Sequence, residues 1–322
     1  MSPKRPRIVI AERYLGSSEH EAGLAGDRAD VVTASLDTPA DIAAATAEAG
    51  AVLITTHRMS DEHIAALGGA VRVIGRAGIG LDAIDLDAAR RRGIAVYHTP
   101  DYCVDEVADQ TLTSILMLQR RMADQQRVAR AAGWPDRASL RIHALTVTTV
   151  GVVGAGRIGR AVLARLEPFG VRRLAYDPFA AEVPAGVEAC ATLEDLLAAS
   201  DVVTLHMPLL PETRGLLSET RIRSMRPGSY LVNVSRGPLV DTRALAAALR
   251  DGHLGGAAVD VYEPEPPAAD DPLLDAPNTI LTPHHAWHSI EAETRCRAQT
   301  LEAVLAVIDG REPADGRLAV RP

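Results

Sequence analysis

The chain has 322 residues, a formal net charge of -8, 47% hydrophobic residues and 3% aromatic ones. That length supports two domains with separate cores, and the acidic balance excludes a general nucleic-acid or anionic-membrane surface. Cys103, Cys190 and Cys296 are odd in number and far apart, which excludes a disulfide framework or a bound zinc.

Short β-branched runs open the chain: RIVIA at 7–11, DVVT at 30–33, AVLI at 51–54, VRVI at 71–74 and IAVY at 94–97. Helical stretches lie between them, including 38–49, which begins on a Thr38-Pro39 start signal, and a short one ending at Gly93. Strands alternating with helices predict a parallel, doubly wound sheet for this part of the chain. One unbroken helix is predicted over 104–130, with Leu112, Ile115, Leu116 and Leu118 on its apolar stripe. Nowhere do about 18 apolar residues run together, so a soluble cytoplasmic protein with no membrane segment is expected.

Residues 149–165, TVGVVGAGRIGRAVLAR, organise the rest. An apolar run meets Gly154, Gly156 and Gly159 in G-x-G-x-x-G spacing, and Arg157 and Ile158 begin a helical pattern. The first glycine permits a tight turn, the second lets backbone approach a pyrophosphate, and the third lets the helix pack on the strand; the phosphates then meet unpaired N–H groups at the helix start. The next strand-like run, 174–176, ends in Asp177, 18 residues past Gly159. An acid there accepts both hydroxyls of an adenosine ribose and repels a 2′-phosphate, which predicts NAD rather than NADP. The alternative is a glycine-rich turn in some other α/β unit.

Strand-like runs continue at 202–205, 230–234, 256–261 and 279–282, with a helix at 242–251 and a final one at 290–309. No strand is expected after that helix, so the chain is expected to return to the first domain, and the tail 310–322 is expected to be loosely packed. The predicted fold class is α/β: two Rossmann-like domains with doubly wound parallel sheets. Residues 101–282 form the NAD-binding domain, inserted into a substrate domain made of 1–100 and 283–322, with crossings near Pro100 and Pro283.

Strand ends carry the candidate chemistry, because in a parallel sheet all carboxyl ends open onto one crevice. LHMPLLPET offers His206 and Thr213, SRGPLVD offers Arg236, VDVYEPEP offers Asp260, Glu263 and Glu265, and TPHHAWHS offers His284, His285, Trp287 and His288. This set suits carbonyl reduction. An arginine holds a substrate carboxylate bidentately and polarises the adjacent carbonyl, a histidine protonates the developing alkoxide, and a carboxylate beside that histidine fixes its tautomer and favours its protonated form. Each group also has a plain reading: Arg236 as a structural ion pair, Glu265 as a solvated loop charge, the histidines as structural or peripheral.

The stretches GAGRIG, Asp177, LHMPL, NVSRGPLVD, AAVDVYEPEP and TPHHA, in this order, make the chain resemble the D-isomer-specific 2-hydroxyacid dehydrogenase family from about Val71 to Ala303. RAGIGLDAIDLDAARRRGIAV, VDEVADQTL and HHAW are similar to its C-terminal binding protein branch. The resemblance implies reversible hydride transfer at C2 of a 2-oxo acid, with Arg236 binding the substrate, His284 as acid/base and Glu265 as its partner, and with Glu263 offset from the catalytic position. It implies that Thr111, His206, Met207, Pro208, Thr213, Val234, Ser235 and Asp260 line NAD. The backbone of Gly78, Ile79 and Gly80 would meet the substrate carboxylate, Arg76 and Trp287 would shape specificity, and a homodimer would form near the helix that starts at Val104.

One departure is Cys103, which stands where many relatives have an asparagine near the substrate and so speaks against the common small substrates, such as glycerate derivatives. His57 and Arg58 follow one strand, Arg13 and Tyr14 another, and cations there suggest a substrate with a second anionic group. The alternative has Arg13 and Arg58 solvated or paired with Glu12 and Asp61. A different class of function also suits the branch resemblance: an NAD(H)-binding scaffold or redox sensor for protein partners. A third option is a dehydrogenase acting on phosphite or an amino acid.

Overall fold

Alternation along the strands sorts their side chains onto two faces, and this decides where the cores form. The computed structural model describes residues 5–12, 15, 17–134, 142–180, 182–313 and 318–321. Its strands are β1 (Arg7–Ala11), β2 (Asp30–Ala34), β3 (Ala49–Ile54), β4 (Val73–Arg76), β5 (Ala95–His98), β6 (Thr149–Val153), β7 (Arg172–Tyr176), β8 (Glu188–Ala189), β9 (Val202–Leu205), β10 (Tyr230–Asn233), β11 (Gly256–Val259), β12 (Thr279–Leu281) and β13 (Leu318–Val320). The chain divides into two compact units, Met1–Tyr102 with Ser289–Pro322, and Cys103–His288. The crossings expected near Pro100 and Pro283 thus fall after Tyr102 and after His288, which puts His284 in the second unit.

The first unit holds a six-stranded sheet in the order β13-β5-β4-β3-β1-β2, parallel except for β13. Val9, Val52, Ile54, Ile74 and Val96 share one buried cluster, each such side chain contributing roughly 1.5–3 kcal/mol of burial free energy. On β4, Gly75 has no side chain because a Cβ there would lie 2.6 Å from both Leu53 Cδ2 and Val304 Cγ2. Val304 belongs to the helix Ile290–Ile308, which therefore seats directly on the strand. The helix Pro39–Thr46 starts at Thr38 with a capping box to Asp41, as the Thr38-Pro39 signal predicts.

Two expectations for this unit are corrected. A strand does follow the final helix: β13 pairs antiparallel with β5, and Val320 is 2% exposed. The described end of the tail is therefore packed, since it covers an otherwise open sheet edge.

The second unit holds a seven-stranded, fully parallel sheet in the order β12-β11-β10-β9-β6-β7-β8. Val150, Val152, Val202, Val232 and Ala258 face one core, and Val153, Val203, Leu205, Leu231, Ala257 and Val259 face the other. The chain leaves β6 towards β7 and β8, then returns to β9 on the other side, so the topological switch lies between β6 and β9.

The helix predicted over 104–130 is two helices, Val104–Gln119 and Met122–Arg130. Arg121 breaks it in the left-handed region, with φ 48, and its Nε donates to Asp124 Oδ2 at 2.9 Å. Burial explains the break: Ile115, Leu118 and Gln119 are buried in the first helix, whereas no residue of the second is. Among the described residues no helix is long and apolar enough to cross a membrane.

Candidate active site

The carboxyl end of β6 carries the glycine fingerprint, and the three glycines have three different surroundings. Gly154 has φ +100, and a Cβ there would lie 2.6 Å from the His206 carbonyl oxygen. A Cβ on Gly159 would lie 1.9 Å from the Gly154 oxygen, so only glycine lets the helix Arg157–Leu166 start against the turn. Gly156 differs: a Cβ there meets nothing within 4 Å. Its backbone faces open space at the start of a ten-residue helix, which fits an approaching anion. Arg157 is exposed and Ile158 half-buried.

Asp177 follows β7 and is braced before any ligand arrives. Its Oδ2 accepts the Ala155 N–H at 2.7 Å and its Oδ1 the Phe179 N–H at 2.8 Å. The acid is thereby fixed to the fingerprint turn, with lone pairs left for hydroxyl donors. This residue set fits the adenosine, ribose and pyrophosphate of a dinucleotide.

Past β9, His206 meets Thr204 Oγ1 through Nε2 at 3.0 Å, and burial pushes its pKa down to about 3. It is a neutral imidazole near pH 7. Met207 is buried and Pro208 exposed. Thr213 Oγ1 donates to Pro208 O at 2.7 Å and accepts the Leu210 N–H at 2.8 Å, so this hydroxyl shapes its own loop. Thr111 is fully buried, with its hydroxyl donating to Val107 O at 2.7 Å, and is committed to its own helix.

The neighbouring strands β10, β11 and β12 deliver the remaining groups. After β10, Asn233 Oδ1 accepts the Ser235 N–H at 3.1 Å and Asn233 Nδ2 donates to Arg236 O at 2.9 Å. This bridge sets the turn from which the half-buried Arg236 departs, its Nη1 donating to Ser235 O at 2.8 Å; Val234 is half-buried beside it. A Cβ on Gly237 would lie 2.3 Å from the Tyr262 carbonyl carbon, so the turn packs against the chain after β11.

After β11, Asp260 is 2% exposed and clamps the loop after β12: Oδ1 accepts the Thr282 hydroxyl and the His285 N–H, and Oδ2 the Ala286 N–H. Within that clamp His284 takes φ 56, an uncommon conformation for a residue with a side chain, and its N–H donates to Asp260 O at 2.7 Å. His284 Nδ1 lies 2.7 Å from Glu265 Oε2, and Glu265 Oε1 accepts the Tyr262 N–H at 3.0 Å. Burial alone would push the Glu265 carboxyl up. The hydrogen bond and charge of His284, the Tyr262 N–H and the Arg236 charge outweigh it and hold the group below its ordinary value.

An ionised Glu265 can only accept, so Nδ1 of His284 carries the proton and Nε2 is left for another partner. Glu263 is exposed and pairs with Arg214 at 3.0 Å, away from this arrangement. The His285 and His288 rings stack at 5.6 Å, with the half-buried Trp287 edge-on to His288 at 5.2 Å.

In the first unit, Arg76 ends β4 and its Nη1 donates to Ala77 O at 2.8 Å, curled into the elbow of Gly78, which has φ +141. The Gly78 N–H donates to Thr99 Oγ1 at 2.8 Å, while His98 Nδ1 lies 2.9 Å from Ile79 O; Ile79 and Gly80 are half-buried. Cys296 Sγ lies 3.3 Å from Thr99 Oγ1, and burial pushes its thiol up to about 11.

Arg58 is exposed just past β3 and forms no ion pair among the described residues, because Asp61 pairs with Arg91. His57 is 6% exposed, with Nε2 3.9 Å from Asp37 Oδ1. Arg13 and Tyr14 lie outside the described residues. Cys103 is 1% exposed at the start of the helix Val104–Gln119 in the second unit. Among the described residues no group of three or more His, Cys, Asp or Glu could hold a metal ion.

Asn233, Tyr262, Thr282 and His98 escape the sequence reading. Asn233 alone carries a local signal, an Asx-type turn before SRG; Thr282 and His98 bond to residues about 20 positions away, and so does the Tyr262 hydroxyl, which reaches Thr282 O.

The family described as "D-isomer specific 2-hydroxyacid dehydrogenase, NAD binding domain" matches residues 112–286. A D-3-phosphoglycerate dehydrogenase of Mycobacterium leprae (strain TN) is 35% identical over 308 residues, or 95% of this chain and 57% of the relative. The chain thus spans little more than half the length of that relative.

Among solved structures, D-lactate dehydrogenase from Aquifex aeolicus, complexed with NAD and lactic acid, is similar with a TM-score of 0.89 and 27% identity, covering 98% of this chain and 99% of that one. An NAD-dependent formate dehydrogenase from Staphylococcus aureus, in complex with NAD, has a TM-score of 0.86 and 27% identity, covering 98% and 99%. Family match, two parallel-sheet units and a glycine turn braced by Asp177 agree, and the chain belongs to the D-isomer specific 2-hydroxyacid dehydrogenase family.

Proposed function

We propose that the protein is an NAD-dependent D-2-hydroxyacid dehydrogenase that interconverts a 2-oxo acid and a 2-hydroxy acid. The observation that carries this reading is the 2.7 Å contact between His284 Nδ1 and Glu265 Oε2, with the Arg236 charge acting on the same carboxylate. The Gly156 backbone and the start of the helix Arg157–Leu166 would hold the pyrophosphate, and Asp177 the ribose hydroxyls. When bound, NADH supplies the hydride to C2.

Arg236 holds the substrate carboxylate and draws electron density from the adjacent carbonyl. His284 donates its Nε2 proton to the developing alkoxide, and in the oxidative direction the neutral ring takes that proton from the 2-hydroxyl. Glu265 keeps Nδ1 protonated in both directions, so the ring faces its partner with one nitrogen only. Burial pushes the His206 pKa down to about 3, which makes it a far weaker base than the proton transfer calls for.

The substrate class follows from charge. Arg58, exposed and without an ion pair among the described residues, would read a second anionic group such as a carboxylate or phosphonate. The test is NADH oxidation against 2-oxo acids with aliphatic, aromatic, dicarboxylic and phosphono side chains, with NADPH as the control. Turnover with NADH, best on dianionic acids and with that preference lost in Arg58→Ala, is the expected result. Tight NADH binding with no turnover on any of them would contradict the dehydrogenase and favour a cofactor-binding scaffold. An unchanged preference in Arg58→Ala would remove the second anionic group alone.

A further inference from the structure

Tyr262 joins the three elements that carry the proposed chemistry, yet in that scheme it touches no reacting atom. Its side chain is almost wholly buried, and its hydroxyl lies 3.0 Å from Thr282 O and 3.2 Å from Val259 O. The single hydroxyl proton is shared between these two carbonyls, and the nearer of them, Thr282 O, lies two residues before His284. The Tyr262 backbone N–H holds Glu265 Oε1 at 3.0 Å, and its carbonyl carbon packs against Gly237, next to Arg236. One residue therefore holds Glu265 directly, holds the His284 loop two residues before the histidine, and abuts the turn of Arg236. Burial, with the charges of Asp260, Asp271 and Glu265 adding to it, pushes the phenol up to about 12, so the hydroxyl remains a donor across the working pH range.

We propose that the Tyr262 hydroxyl is a positioning group that fixes the His284 loop at hydrogen-bond distance from Glu265. The inference rests on the reading of His284 and Glu265 as the acid/base pair. It follows from how the loop is held: Asp260 grips it through the Thr282 hydroxyl and two backbone N–H groups. Tyr262 grips it from the carbonyl side of Thr282. Without the hydroxyl one side of that grip is gone, and a residue at φ 56 has a more relaxed backbone to move towards.

Tyr262→Phe in the full chain tests this, since it removes the hydroxyl and keeps the ring. Two readouts are taken. The first is the downfield proton resonance of His284 Nδ1–H in the cofactor-free protein, assigned by its disappearance in Glu265→Gln and in His284→Ala. The second is steady-state reduction of the best 2-oxo acid. The expected result is a resonance that moves upfield and exchanges faster, and a kcat lowered about fivefold with the KM for NADH unchanged, as a small displacement of the imidazole requires. A resonance and a kcat that both match the wild type would overturn the inference and leave the dehydrogenase standing. Should the wild type turn over no 2-oxo acid, the proposed reaction would fall, and the resonance would still decide whether Tyr262 positions the pair.

Discussion

His206 and His284 are both imidazoles at strand ends of one sheet, and their surroundings give them opposite tasks. His284 has an ionised carboxylate 2.7 Å from Nδ1, which fixes its tautomer. His206 has the Thr204 hydroxyl at 3.0 Å from Nε2 and no carboxylate partner among the described residues, and burial lowers its pKa to about 3. The sign of the stability effect follows. Between the folded value and about 6.5 for an unfolded histidine, the unfolded chain binds the extra proton, so stability falls as pH drops through that window at up to about 1.4 kcal/mol per pH unit. Below about 3 the slope vanishes, because both states are protonated. His206→Asn should therefore flatten the fall of the urea midpoint between pH 7 and pH 5; an unchanged slope would mean that His206 is solvated. Sequence alone separated these residues through the family motif and through the place of His284 after Thr282-Pro283 at an expected domain crossing, which falls instead after His288; the neighbours that decide their chemistry are not recognisable from spacing, since Glu265 lies 19 positions from His284 and Thr204 precedes His206 inside an ordinary apolar run.

At the scale of elements, the candidate site is a row of loops on one edge of a parallel sheet. β6 ends in the glycine turn, β7 in Asp177, β9 in His206, β10 in Arg236, β11 in Asp260 and Glu265, and β12 in His284. The strand, turn and helix at residues 149–166 could be read directly from the glycine spacing, and at Gly154 and Gly159 backbone lies where a Cβ would be. Gly159→Ala tests the tightest of them: its Cβ would lie 1.9 Å from backbone that cannot rotate away. It should cost about 1–3 kcal/mol in stability and weaken NADH binding, both measurable by chemical denaturation and fluorescence titration; a variant that matches the wild type in both would show that the turn yields. Other elements could not be read. The break at Arg121 has neither glycine nor proline to mark it, and the three-residue β13 is too short to show alternation. Both depend on packing: one helix runs out of buried positions, and one sheet edge needs cover.

At the scale of the whole molecule, two α/β units arise from one internal run and its two flanks, each built on a sheet that reverses its strand order once. The alternating pattern of strands and helices made this fold class readable, because period and composition are properties of long stretches. Unit boundaries were less so: the second crossing falls after His288 rather than at Pro283, since the loop 282–286 is bound to Asp260 and so stays with the second sheet. In the proposed reaction this loop presents an acid/base histidine to a 2-oxo acid. The most direct test is kcat/KM for 2-oxo acid reduction in His284→Ala, with NADH affinity measured on the same protein. The expected result is a loss of about 100-fold or more in kcat/KM, with NADH affinity within about twofold of the wild type. Retention of wild-type kcat/KM in His284→Ala would contradict that role.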